Sequence, residues 1–183
     1  DGKPSNIAGT LEHKKGDLEK GFDEADFIVE QSFDTAAIHQ GSLETHACLV
    51  SVAPDNKTVI WSSSQGQFMV RAMTSFITGI PQSDIRAIPA EIGGGFGGKT
   101  IVYLEPVATI LSRKSGRPVK MVMTREEVMR ATGPTSASKS TVKIGATKDG
   151  KITAAKGVFY LQAGAFPGSP IRGAVGCCLA PYD

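Results

Sequence analysis

The chain has 183 residues, 40% of them apolar and 21% charged, and 20 basic side chains against 18 acidic ones leave a net charge of +2. This is the composition of an ordinary globular domain that can bury a core, and so balanced a charge argues against a nucleic-acid or membrane-surface binder. No apolar run approaches the roughly 18 residues of a membrane span, no basic-then-apolar leader is visible, and three cysteines, two of them adjacent, fit a reducing, cytoplasmic compartment better than a disulfide framework.

Residues 1–15 are polar and expected to be loosely held. Gly16 to Ala25 reads as a short helix, with Asp17 as its cap and Leu18, Phe22 and Ala25 as its apolar face. Phe27 to Phe33 alternates as a strand, while His39 to His46 has no clear period. Cys48 to Val52 and Val59 to Ser63 read as a hairpin turned by Pro54-Asp55-Asn56-Lys57. Phe68, Met69, Ala72, Met73, Phe76 and Ile77 then recur at helical spacing, and Gly79 with Pro81 ends the run. An extended stretch, Ile85 to Pro89, leads to Ile92-Gly93-Gly94-Gly95-Phe96-Gly97-Gly98-Lys99-Thr100, and a helical stretch follows from Leu104 to Arg113. Val119 to Met123 reads as a strand, Thr124 to Glu127 as a capped helix start, and Ser138 to Gly164 as a long hairpin turned at Lys148-Asp149-Gly150-Lys151. Residues 165–183 are rich in glycine and proline and take no assignment. The expected fold class is α+β, a mixed β-sheet with packed helices. The chain opens at Asp1 and stops without a closing element, so residues 1–183 are expected to be an excised part of one larger domain.

The glycine-rich run is the most informative segment. Five of its nine residues are glycine, so backbone N–H groups can turn inward on an anion or cofactor, and a lone Phe96 among them would wall a pocket. It lacks the spacing of a phosphate-binding P-loop. Gly93, Gly95 and Gly98 match a dinucleotide fingerprint only weakly, because repeated βαβ units are missing. Composition alone leaves a ligandless turn and a ligand-binding loop equally open. Gln65, between a strand and a helix, could donate to an anionic or oxo oxygen, although a plain helix cap explains it more simply. His39, Glu44 and His46 suggest a metal site by type but not by spacing, and read better as buried, hydrogen-bonded structural residues. No base is placed beside Cys48, Cys177 or Cys178 to activate a thiol. Arg117 to Lys120 and Thr124 to Glu127 could bind an acidic ligand, but a solvated face and a helix start are the simpler reading.

Taken in order, Gly16 to Asp26, His39 with Glu44-Thr45-His46, Ser64-Gln65, Gly93 to Lys99, Glu105, Gly116-Arg117-Pro118-Val119 and Thr124 to Glu127 resemble the molybdenum-cofactor-binding subunit of the xanthine dehydrogenase and aldehyde oxidase family. The likeness runs from about residue 6 to the end. It implies the N-terminal part of a molybdopterin-binding domain, with Gln65 hydrogen-bonded to an oxygen ligand of molybdenum, and Gly95, Phe96 and Gly97 beside the metal and pterin. It implies oxidation of a carbon centre with water as oxygen source, and molybdopterin or its cytosine dinucleotide as cofactor. The implied partners are the rest of the molybdenum subunit, iron–sulfur and flavin subunits or domains, and a small-molecule substrate. No residue of this chain is implied to ligate the metal directly. The family's catalytic glutamate and most pterin contacts fall downstream, so the isolated chain is expected to be inactive and cofactor-free. In purine-oxidising members a glutamate follows the motif's lysine and holds substrate. Here Thr100 stands there, which favours an aldehyde, aromatic or other small carbonyl substrate. A non-catalytic interaction module and a nucleotide-binding domain are the competing readings.

Overall fold

The computed structural model describes residues 6–164, so Cys177, Cys178 and the unassigned segment 165–183 lie outside the described residues. In chain order the elements are α1 (Leu18–Asp23), β1 (Phe27–Thr35), β2 (Ala47–Val52), β3 (Thr58–Ser62), α2 (Gln67–Thr78), a 3-10 turn (Gln82–Asp84), β4 (Ile85–Pro89), α3 (Glu105–Ser115), β5 (Val119–Val122), α4 (Arg125–Ala131), β6 (Ser138–Ala146) and β7 (Ile152–Leu161). The chain forms two compact units, one from its two ends (through Ile38 and from Ser136), the other from His39–Thr135.

In the first unit, β6 and β7 form the expected long hairpin. Gly150 takes a φ of +86° at its turn, a conformation that suits glycine. β1 pairs antiparallel with β6, giving a three-stranded sheet ordered β1-β6-β7. The Asp17 carboxylate accepts the Lys20 N–H at 3.1 Å and caps α1. Gly21 lets α1 lie on the sheet, since a Cβ there would stand 2.5 Å from the Thr153 carbonyl oxygen.

In the second unit, a four-stranded sheet runs in the order β4-β3-β2-β5. β2 and β3 are the expected hairpin, with Cys48 opposite Ser62 and Asn56 at a φ of +67° in the turn. Cys48, Val50, Val52 and Ile60 alternate onto one face and form the core with Val70, Ile80, Ile85 and Ala108. Burial pushes the Cys48 thiol up to about 12, so it is a core side chain rather than a nucleophile. Two expectations are corrected here. β3 and β4 pair in parallel with α2 between them, so one βαβ unit exists where none was expected, although the rest of the sheet is antiparallel. α2 also does not bury the stripe that marks it as a helix. Val70 and Thr74 are fully buried against the core, whereas Phe68 and Phe76 are 88% and 84% exposed. No helix among the described residues is long and apolar enough to cross a membrane.

Candidate functional site

The glycine loop sits in the second unit, between β4 and α3, and three residues from two segments distant in sequence hold it. Gln65 comes first. Its Oε1 accepts the N–H of Gly97 at 2.9 Å and of Lys99 at 3.1 Å, and its own N–H donates to the Lys99 carbonyl at 2.9 Å. Two backbone donors on one amide atom identify that atom as the oxygen. Gln65 Nε2 is therefore the outer atom, and it makes no hydrogen bond among the described residues. The helix-cap reading of Gln65 is corrected, because Gly66 takes the N-cap position of α2 and makes no side-chain capping bond. Gly95 is buried against Gln65, and a Cβ there would meet Oε1 at 2.5 Å.

His46 and Glu44 hold the loop from other sides. The buried His46 donates from Nε2 to the Gly98 carbonyl at 3.0 Å, since a carbonyl only accepts. Its Nδ1 finds no partner among the described residues. Burial pushes the His46 imidazole down, and the Lys99 ammonium adds to that against the Gly98 bond. Glu44 Oε2 accepts from Lys99 Nζ at 2.6 Å and from the Gly93 N–H at 2.8 Å. Burial raises the Glu44 carboxyl, but these two bonds outweigh it and leave it below its ordinary value. His39 Nε2 bonds the Thr132 hydroxyl at 2.8 Å. All three are hydrogen-bonded as expected, but only His46 is buried; His39 and Glu44 are half-buried, which corrects the expectation that all three would be buried. Arg125 is structural as well, donating to the Ser42 and Leu43 carbonyls at 2.7 and 2.8 Å.

The N–H groups of Gly93, Gly97, Gly98 and Lys99 are therefore spent within the protein. Those four donors are not available to a bound anion. What the loop presents outward is different. Phe96 is 70% exposed with a φ of +51°, a backbone region that costs a non-glycine residue about 1–2 kcal/mol. Gly97 follows at +89°, and a Cβ there would meet nothing within 4 Å. Thr100 donates its hydroxyl to the Gly97 carbonyl at 3.0 Å. The buried Glu105 carboxylate accepts from Ser62 Oγ and the Tyr103 N–H, so the start of α3 is occupied by its own side chain. The structure brings Gln65, Gly95, Phe96, Gly97 and Thr100 together. Sequence reasoning missed the clamp made by Glu44 and Lys99, which lie 55 positions apart with no periodic signal to link them.

The electrostatics give a pH expectation. His46 and Glu44 both have folded values below their unfolded ones, near 6.5 and 4.5, so the unfolded chain binds more protons as pH falls. Each contribution is fully present above the unfolded value and is lost as pH drops through the folded one. Thermal midpoints should hold level above pH 7 and decline below about 6.5, His46 first and Glu44 second. His46→Gln, which keeps a donor for Gly98 but cannot titrate, should remove the first stage of that decline.

The loop is thus clamped from within and carries an exposed aromatic and an unspent amide donor. The chain belongs to the molybdopterin cofactor-binding domain family, whose model matches residues 1–183. It is 36% identical over 161 residues to the probable hypoxanthine oxidase XdhD of Escherichia coli K12, covering 88% of this chain and 17% of that protein. It is 35% identical over 154 residues to the indole-3-acetaldehyde oxidase of Arabidopsis thaliana, covering 82% of this chain and 12% of the relative. Among solved structures it resembles the aldehyde oxidoreductase of Desulfovibrio gigas, with a TM-score of 0.66 and 25% identity over 81% of this chain and 16% of the other. The chain thus spans about a fifth or less of the length of these relatives.

Proposed function

We propose that this chain forms one wall of the molybdenum-cofactor seat in the catalytic subunit of a hydroxylase that oxidises a carbon centre with water as oxygen source. The observation that carries this reading is the Gln65 amide. Its oxygen is fixed by the Gly97 and Lys99 N–H groups, so its Nε2 donors are held beside the loop with no acceptor among the described residues. The residues fit a large polar group. Gly97 opens onto space that a Cβ would not fill, the Phe96 ring offers an apolar side, and Nε2 suits an oxygen acceptor. When bound, the molybdenum cofactor, as molybdopterin or its cytosine dinucleotide, supplies the two-electron redox chemistry. Gln65 then orients an oxygen of that group, Phe96 keeps water from one side, and Gly97 lets the group approach the backbone. The reading places the chain early in a larger cytoplasmic subunit that works with iron–sulfur and flavin partners. On this reading the described residues form one wall only, and the rest of the seat comes from elsewhere in the subunit.

Thr100 deepens the reading towards substrate. Its hydroxyl is turned back onto the loop, and it has no charge to offer a purine. A hydrogen bond to a charged group contributes about 1.5–3 kcal/mol. Purines are therefore expected to lose roughly 10- to 100-fold in kcat/KM relative to a site with a charged group at this position, which leaves aromatic or aliphatic aldehydes as the better substrates of the parent subunit. Steady-state assays of both substrate sets, with molybdenum analysis of the parent and of the isolated chain, check this. Faster purine oxidation would remove the Thr100 argument. Stoichiometric molybdenum in the isolated chain would show that it holds a complete seat.

A further inference from the structure

We propose that Glu44 and Lys99 form a positioning couple that sets the shape of the glycine loop, and through it the placement of Phe96 and Gly97 against the cofactor. The proposal rests on the cofactor reading above.

Lys99 closes the loop, and its side chain is only 1% exposed. A buried ammonium needs an acceptor, and Lys99 Nζ finds Glu44 Oε2 at 2.6 Å. The same oxygen accepts the Gly93 N–H at 2.8 Å. One carboxylate oxygen therefore draws the first and last residues of the glycine run to a single point. Gly93 is tied to Glu44 a second time, because the Glu44 N–H donates to the Gly93 carbonyl at 3.2 Å. The fit is close enough that a Cβ on Gly93 would lie 2.6 Å from Glu44 Cβ. Glu44 is steadied in turn by Arg125, which holds the carbonyls of the two residues before it.

Between the tied ends, Gly94, Phe96 and Gly97 have φ values of +93°, +51° and +89°. Positive φ suits the two glycines, but Phe96 is strained there, and such strain persists only where its surroundings over-determine it. Gln65 fixes the second half of the loop, and the Glu44–Lys99 couple fixes the first half to the last residue. An apolar pair of the same volume would fill this space at no loss of stability, because a buried ion pair returns little over well-packed hydrophobic residues. Such a pair would not aim at the Gly93 N–H, however. What the charges add is direction. The bonds of the couple run to Gly93 and between its own two members, so it acts through the loop backbone and not on the reacting atoms.

The test compares the cofactor-loaded parent subunit with its Glu44→Gln, Lys99→Met and doubly substituted forms. Molybdenum per subunit, the anisotropy of the Mo(V) electron paramagnetic resonance signal and the thermal midpoint are read on each preparation. Lys99→Met leaves a half-buried carboxylate unpaired and is expected to lower molybdenum content at least tenfold. The double variant removes that carboxylate charge and should recover at least threefold of the loss. Glu44→Gln keeps the volume and an acceptor for Gly93. It should fold, load in part and show an altered Mo(V) signal, so the proposal stays testable if Lys99→Met fails to fold. Normal loading with an unaltered signal in folded Glu44→Gln would overturn the proposal while leaving the cofactor reading standing. A loading loss that merely follows the thermal midpoint, with no signal change, would overturn it likewise. Absence of molybdenum from the unaltered parent would overturn the cofactor reading itself, and the couple's role with it.

Discussion

Gly95→Ala in the parent subunit is expected to expel the Gln65 amide from the glycine loop and to lower molybdenum content at least tenfold. A Cβ at this buried position would lie 2.5 Å from Gln65 Oε1, 2.6 Å from Cδ and 2.8 Å from Cγ. Those separations are closer than nonbonded atoms tolerate, so something must move. The Gly95 backbone is held by the turn in which its carbonyl accepts the Gly98 N–H at 2.7 Å. Gln65 is the flexible partner, and it is the one that leaves. Its departure breaks the bonds from the Gly97 and Lys99 N–H groups, a loss of about 1–3 kcal/mol at the usual net value per hydrogen bond. Because 1.4 kcal/mol is a factor of ten in an equilibrium, the same displacement accounts for the loading loss if Nε2 is the donor that the cofactor needs. A double-mutant cycle separates this cause from general damage. Against a Gln65→Ala background the new methyl group meets no amide, so Gly95→Ala should then cost little in thermal midpoint or in metal content. Equal costs in both backgrounds would show that Gly95 acts on something other than Gln65.

The parts of this fold that local chemistry dictates were legible in the sequence. The β6–β7 hairpin announced itself through Asp149-Gly150, and Gly150 indeed takes positive φ. The Thr124–Glu127 spacing gave the capping box seen at the start of α4, with both reciprocal bonds made. Pairings between distant segments were not legible. Ser32 and Thr141 share a hydrogen bond 109 positions apart, and nothing in the alternation of β1 names β6 as its neighbour. α2 shows the same limit in another form. Its apolar stripe reports a helical period, but the period does not say which side meets the core, and a flank carrying Val70 and Thr74 does so instead. At the site, Gln65 and the Phe96 loop could be picked out individually by residue type. Their contact could not, because it depends on β3 delivering Gln65 beside a loop that begins beyond β4. Lys99 read as the end of a motif, and only its burial shows that it points inward to Glu44. Four of the loop's donors show the same limit. Glycine composition says that N–H groups can converge, but not that the protein itself has already supplied their acceptors.

Phe96 should separate folding from function most sharply. Its ring is 70% exposed and its backbone lies in the left-handed region, so two ordinary reasons for keeping a phenylalanine are absent. Full burial of such a ring contributes about 1.5–3 kcal/mol, most of which is forgone here, and the positive φ costs about 1–2 kcal/mol. Phe96→Gly removes that backbone cost. In the parent subunit its thermal midpoint is expected to stay level or rise, while molybdenum content collapses because one side of the seat is gone. Phe96→Asp should keep the fold to within about 1 kcal/mol, as exposed substitutions generally do, and should abolish metal loading by setting a carboxylate against an anionic cofactor. Metal analysis and thermal denaturation of one preparation read both effects. The opposite pattern, a lowered midpoint with molybdenum retained, would make Phe96 a packing residue of the parent. If Phe96 serves the cofactor as proposed, a stability gain coupled to a cofactor loss is the signature of a residue that the fold does not need.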